Sequence, residues 1–179
     1  MGSITSEMLP QAVDLLALDL PEALALRAVL ELYQVRVNLF TVGRGTDVLS
    51  ALNGDAPHLV ISAHGDRQGF VLSELDPEEV PDHAFYGHLT PVSVRTQPAL
   101  RGRVVIATAC DSGSPTFVEA FLDAGAAAYV APVGAPTDAI FFLVHLYYGL
   151  VWGQTLPGAV QWARAHDIGD SRLFRLFKR

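Results

Sequence analysis

Two residues equipped for nucleophilic chemistry stand at equivalent places along the chain. Cys110, the single cysteine, closes the apolar run Val104-Val105-Ile106-Ala107-Thr108-Ala109 and precedes Asp111-Ser112-Gly113. His64 closes a similar run, Leu59-Val60-Ile61-Ser62-Ala63, and precedes Gly65-Asp66. Short apolar runs bounded by turn residues read as buried strands of a parallel sheet. In open α/β sheets, ligands bind outside the carboxyl ends of the strands. A thiol and an imidazole placed there can act as nucleophile and general acid/base. The N–H groups of Gly65 and Cys110 are then candidate donors to an oxyanion. A free cysteine can also be no more than a small buried apolar residue. The polar segment Asp111-Ser112-Gly113-Ser114 favours an exposed turn at Cys110 instead. A helix starting near Pro115 would present backbone N–H donors that can hold an anion.

The elements that must position this pair can be read along the chain. Pro21–Tyr33 has a helix start at Pro21 and Glu22 and leucines at positions 24, 26, 30 and 32. Val35–Val42 alternates as a strand, and Thr46–Leu52 reads as a short helix with Thr46 as N-cap. His58–Ala63 and Arg103–Ala109 are the strands leading to His64 and Cys110. Between them, Phe70–Leu75 reads as a hairpin or edge strand, and 76–96 as helix fragments plus loop. Pro115–Asp123 is a helix capped by Ser114 and ended by Gly125. A strand over Ala127–Pro132 follows, then helices over Thr137–Trp152 and Leu156–Ala165, and a last strand over Arg172–Phe177. This alternation predicts an α/β fold, a mainly parallel central sheet with helices on both faces.

The bulk numbers set limits. The chain has 179 residues, half of them hydrophobic and 17% charged, which suits one domain with a substantial core. We expect residues 1–20 to be a poorly ordered N-terminal segment and 21–179 to be the domain. The net charge of −7 argues against nucleic-acid affinity, which needs a positive footprint. A single cysteine without a signal-peptide pattern points to the cytoplasm. The most apolar stretch, 139–152, is too short to span a membrane and contains His145 and Gly149, so it reads as a core helix. His83 and His88 lack further ligands, so no metal is expected. Val42-Gly43-Arg44-Gly45 lacks the ending of a phosphate loop. His145 reads as a core residue, and His58 and His166 as surface ones.

At this point the chain resembles a known family. Ile61-Ser62-Ala63-His64-Gly65-Asp66 and Ala107-Thr108-Ala109-Cys110-Asp111-Ser112-Gly113 are similar to the His-Gly and Ala-Cys-x-Ser motifs of caspase-like (clan CD) cysteine peptidases. The 46 positions from His64 to Cys110 are close to the roughly 50-residue spacing of caspases. Phe121-Leu122-Asp123-Ala124-Gly125-Ala126-Ala127-Ala128-Tyr129-Val130-Ala131 and Tyr147-Tyr148-Gly149-Leu150 extend the likeness toward the CHAT-domain branch. The resemblance covers residues 35–177. It implies a caspase-hemoglobinase-like three-layer sandwich. It also implies peptide-bond hydrolysis without a cofactor, with Cys110 as nucleophile, His64 as general acid/base, and Gly65 and Cys110 as oxyanion donors. Thr108 stands where caspases carry Gln and metacaspases carry Asp, so neither family's specificity carries over.

The resulting expectation is a cytoplasmic, bacterial, CHAT-type cysteine endopeptidase acting on a protein or peptide substrate, under the control of a separate regulatory partner. The alternative is a catalytically inactive interaction module on the same fold. Asp66, Thr108 and Asp111 are the candidates to line the substrate pocket, together with the segment 70–88. A carboxylate there would select Arg or Lys.

Overall fold

The computed structural model describes residues 10–42, 45–72, 87–97 and 100–179. Residues 1–9, 43–44, 73–86, which include His83, and 98–99 lie outside them. The elements in chain order are β1 (Ala12–Ala17), α1 (Leu20–Leu32), β2 (Arg36–Thr41), α2 (Gly45–Leu52), β3 (His58–Ser62), β4 (Phe70–Val71), β5 (His88–Leu89), α3 (Pro91–Arg95), β6 (Val104–Ala107), α4 (Pro115–Asp123), β7 (Ala128–Pro132), α5 (Ala139–Val151), α6 (Leu156–Ala165), a 3₁₀ turn (Ser171–Leu173) and β8 (Phe174–Phe177). Six strands form one sheet in the order β2-β1-β3-β6-β7-β8. All neighbours are parallel except β7 and β8. Two helices, α5 and α6, separate β7 from β8. A pair of helices returns the chain to the end it left, so β8 must run backwards. β4 and β5 form a separate antiparallel pair.

Alternate strand residues feed two cores, one on each face of the sheet. Leu16, Leu59, Ile61, Val105 and Ala107 join Val48, Leu52, Phe117 and Phe121 of α2 and α4. Val13, Leu15, Val60, Ile106 and Val130 join Leu26, Leu30, Phe142, Leu146 and Val160 of α1, α5 and α6. The central strands are apolar on both sides because both sides are covered. The long apolar run is α5, a 13-residue helix, and no helix among the described residues is long and apolar enough to cross a membrane.

The expectation for residues 1–20 is corrected for Ala12–Ala17. This segment is β1, every residue of it buried, pairing with β2 on one side and β3 on the other. Its polar member, Asp14, hides the apolar pattern from a sequence reading. In the fold that carboxylate is buried against Arg103, 2.7 Å from its Nη2. It also accepts from the Asn38 side chain at 2.8 Å and from the Ala56 N–H at 3.3 Å. Arg103 in turn donates to the carbonyls of Ala51, Leu52 and Ala56, at 3.3, 3.1 and 2.8 Å. It thereby satisfies the orphan Leu52 carbonyl at the end of α2 and adds to the Gly54 N–H on that of Ala51. A buried charge is tolerated when it is paired and its hydrogen bonds are filled.

Two histidines differ from expectation. His145 is half-buried, not core: its Nδ1 meets the Phe141 carbonyl at 2.7 Å and its ring stacks on His166 at 4.0 Å. His58 is buried, not on the surface, with Nδ1 3.3 Å from the Tyr147 hydroxyl. Burial, aided by the Arg103 cation, pulls the His58 pKa down to about 4. The folded-state value lies below the ordinary one of 6.5, so the unfolded chain takes up this proton first. Stability is therefore complete above about pH 6.5 and falls as the pH drops toward 4. The shift corresponds to about 3 kcal/mol across that window. Urea melts between pH 7 and 4.5 should show this loss, and His58→Gln should flatten the slope. An unchanged slope in the variant would assign the acid sensitivity to other groups.

Candidate active site

The strand register brings the two turns together. Ile61 of β3 is level with Ala107 of β6, and Ala17 of β1 is level with Ser62. The ladder continues past the strand ends. Leu18 and Asp19 both donate to the Ser62 carbonyl at 2.9 Å, Thr108 N–H donates to the Ile61 carbonyl at 3.1 Å, and Ala63 N–H donates to Thr108 Oγ1 at 3.1 Å. The Thr108 side chain thus completes a backbone ladder, although it also reaches the floor of the cleft described below.

Beyond this clamp the His64 turn lies directly on the Cys110 turn. A Cβ added to Gly65 would stand 2.8 Å from the Ala109 Cβ, 2.9 Å from the Cys110 carbonyl oxygen and 3.3 Å from the Cys110 nitrogen. Only a residue without a side chain permits that approach. Among the described residues, the N–H groups of Gly65 and Cys110 have no hydrogen-bond acceptor. Two close, unengaged donors at a strand end are the arrangement an oxyanion needs.

The Cys110 turn is firmly held. Asp111 takes a left-handed conformation with φ 54°, and its N–H donates to the Gly134 carbonyl at 2.9 Å. Gly113 N–H donates to the Pro132 carbonyl at 2.8 Å, and the Tyr129 hydroxyl to the Ser112 carbonyl at 2.9 Å. The half-buried thiol therefore sits on a fixed loop at the start of α4.

Cys110 and His64 line one cleft of about 380 Å³, between the first turns of α1 and α5. His64 is 80% exposed in its side chain and has its Nε2 3.3 Å from Asp19 Oδ2. That contact orients the ring. Three carboxylates line the cleft, Asp19, Glu22 and Asp138. Glu22 accepts from Ser62 Oγ at 2.6 Å. Burial pushes its pKa up, partly offset by hydrogen bonds from Ser62 and Thr108. Asp138 precedes α5 without capping it, and among the described residues its carboxylate has no hydrogen-bond or ion-pair partner.

The sequence reading gives none of these three carboxylates a place in the site. Asp19-Leu20-Pro21-Glu22 carries a helix-start signal, N-cap, proline and first-turn acid. Nothing in that signal says that the helix start faces Cys110. Of the expected pocket residues, Thr108 lines the cleft. Asp66 and Asp111 instead line a separate groove on the other side of the Cys110 turn. Asp66 closes its own turn, accepting from Gln68 N–H at 2.7 Å and Gly69 N–H at 3.2 Å, and meets His88 Nε2 at 2.9 Å. Those bonds, led by the Gln68 amide, hold its pKa below the usual range. Of the segment 70–88, Val71 and Leu72 adjoin His64 in a third hollow, and residues 73–86 lie outside the described residues. Among the described residues, no three His, Cys, Asp or Glu side chains are grouped as a metal site requires.

No family model matches the chain, and no curated protein matches it in sequence. Solved structures do match in shape. The Arg specific cysteine proteinase gingipain R aligns with a TM-score of 0.62 over 98% of this chain, at 14% identity. The complex of Porphyromonas gingivalis RgpB pro- and mature domains aligns at 0.60 over 95%, at 13% identity. The chain has the caspase/gingipain-like fold. It spans about half the length of those two chains, 47% and 46%. At this identity the likeness concerns the fold, and the roles of individual residues rest on the geometry above.

The Gly65 contact gives a direct test. Gly65→Ala must displace the Ala109–Cys110 backbone or its own turn, at a cost of about 1–3 kcal/mol. Thermal melts of the purified chain should show a lower Tm for Gly65→Ala, whereas Gly87→Ala, whose added Cβ meets nothing within 4 Å, should cost less despite its positive φ. Equal melting of wild type and Gly65→Ala would mean that the two turns are not in contact.

Proposed function

We propose that the chain is a cysteine endopeptidase of the caspase-like type, with Cys110 as nucleophile and His64 as general acid/base. The observation that carries this reading is a thiol and an imidazole lining one cleft, beside two close N–H groups that have no acceptor among the described residues. The fold it shares with cysteine proteinases supports it. So do the His-Gly and Ala-Cys-x-Ser motifs, while the stretches 121–131 and 147–150 favour the CHAT branch, whose members are coupled to a regulatory partner.

The steps follow from the geometry. His64 takes the Cys110 thiol proton, and the thiolate sulfur bonds to the scissile carbonyl carbon. The carbonyl π electrons move to oxygen, where the N–H groups of Gly65 and Cys110 hold the negative charge. The imidazolium, steadied by Asp19, gives its proton to the leaving amine as the C–N bond breaks. Water, deprotonated by His64, then displaces Cys110 from the thioester.

The cleft is acidic, with Asp19, Glu22 and Asp138 and, among the described residues, no Lys or Arg in its lining. Asp19 is engaged with His64 and Glu22 with Ser62, which leaves Asp138 free to meet a substrate cation. We assign the cleft to an Arg or Lys side chain preceding the scissile bond; gingipain R is named for its Arg specificity.

Fluorogenic peptides ending in Arg, Lys, Asp or Leu test both parts. Cys110→Ala and His64→Ala should each lower kcat/KM on the Arg peptide by about 10³-fold or more. Wild-type turnover by Cys110→Ala would end the peptidase reading. Asp138→Asn should cost about 10–100-fold on Arg and Lys peptides, the worth of one charge-assisted contact. An unchanged Arg preference in Asp138→Asn would move the specificity carboxylate to Asp19 or Glu22.

A further inference from the structure

The cleft accounts for one side of the Cys110 turn. The other side carries a larger groove, about 730 Å³, between α3 and the start of α4. We propose that this groove binds the polypeptide that follows the scissile bond, and that it selects an apolar side chain within the first three residues. The inference rests on the peptidase reading and extends it to a second specificity site.

Continuity with the cleft is the first argument. The groove is lined by Asp111, next to Cys110, and by Asp66, Arg67 and Gln68, which directly follow Gly65. The two turns that carry the thiol and imidazole thus form a ridge with a hollow on either side. A substrate with its basic side chain in the cleft lays its carbonyl on the ridge, between the N–H groups of Gly65 and Cys110. Its backbone then crosses the ridge and descends into the groove.

The lining is the second argument. Val92 on α3 is 70% exposed and Val133 after β7 is 48% exposed, and both line this groove. Large apolar side chains left in water along one concave surface mark a binding site. The groove differs from the cleft in charge as well. Arg67 and Arg95 are set against Asp66 and Asp111, so it carries no bias for a cation. The Asp66 carboxylate is already occupied by Gln68, Gly69 and His88. Arg95 is drawn to Glu119 and Asp123 on the outer side of α4, at 3.3 and 3.6 Å. Ser114, the N-cap of α4, makes no capping bond with its side chain, which leaves N–H donors for a peptide carbonyl. Apolar walls with a few polar donors suit an apolar side chain on an extended backbone.

The test uses the full chain and two labelled peptides. Both carry Arg before the scissile bond. One has leucine at the second and third positions after it, and the other has serine at both. Binding is measured by fluorescence anisotropy on Cys110→Ser, and cleavage on the active chain. The leucine peptide should bind about tenfold tighter and be cleaved with a kcat/KM higher by a similar factor. Val92→Asp, a change at an exposed position, should abolish that ratio, whereas Asp138→Asn should weaken both peptides equally and preserve it. Equal affinity for the two peptides would overturn the proposal, as would a leucine preference that survives Val92→Asp. If wild type cleaves neither peptide, the peptidase reading fails, and the Leu-to-Ser binding ratio still decides the groove.

Discussion

The parallel register of β1, β3 and β6 is the constraint from which the site follows. Each strand is short, and each ends within one residue of its neighbour's end. The chain therefore turns three times at the same level, at Asp19, His64 and Cys110. The Ser62 carbonyl takes two N–H groups from the β1 turn, and Thr108 Oγ1 takes one from the β3 turn. These bonds fix the turns to one another more tightly than packing alone would. Gly65 then removes the last obstacle between the His64 and Cys110 loops. A slip of one residue in β3 or β6 would exchange the faces of that strand and separate the pair.

Charge is distributed along the sheet in keeping with this arrangement. At the amino end, the buried Asp14–Arg103 pair ties β1 to the start of β6 and to the end of α2. Its hydrogen bonds are filled, so it anchors register without leaving an uncompensated charge. At the carboxyl end, carboxylates face the cleft. Asp19 accepts from its own helix start and meets His64, so one residue links a cap to an imidazole. Glu22 is held in an environment that resists ionisation. Beside the thiol, Asp111 is held in the left-handed region with φ 54°.

The two faces of the sheet also explain why two hollows flank one thiol. Helices α1 and α5 cover one face and α2 and α4 the other. Cys110 lies on the strand-to-helix turn that passes from the sheet to α4. The α1–α5 side is acidic, and the α3–α4 side is apolar with mixed charge. Different chemistry on each side of the thiol is what the proposed discrimination between the two flanks of a cleaved bond requires.

The sequence by itself determined the elements and the pair of strand ends. Apolar runs and turn residues located β3, β6, β7 and the helices other than α3 to within a residue or two, and their alternation specified a mainly parallel sheet. The adjacency of His64 and Cys110 was legible because parallel strands present their carboxyl ends on one side. Tertiary structure decided what local pattern cannot carry. β1 was concealed by Asp14, whose burial depends on Arg103, 89 residues away. His58 looked like a surface residue until Tyr147 of α5 covered it. The choice between Asp66, Asp111 and Asp19, Glu22, Asp138 as cleft carboxylates depends on which face of the sheet each loop leaves by. That direction is set by the crossover of the chain around the sheet. A short segment of sequence contains the turn but not the side on which it opens.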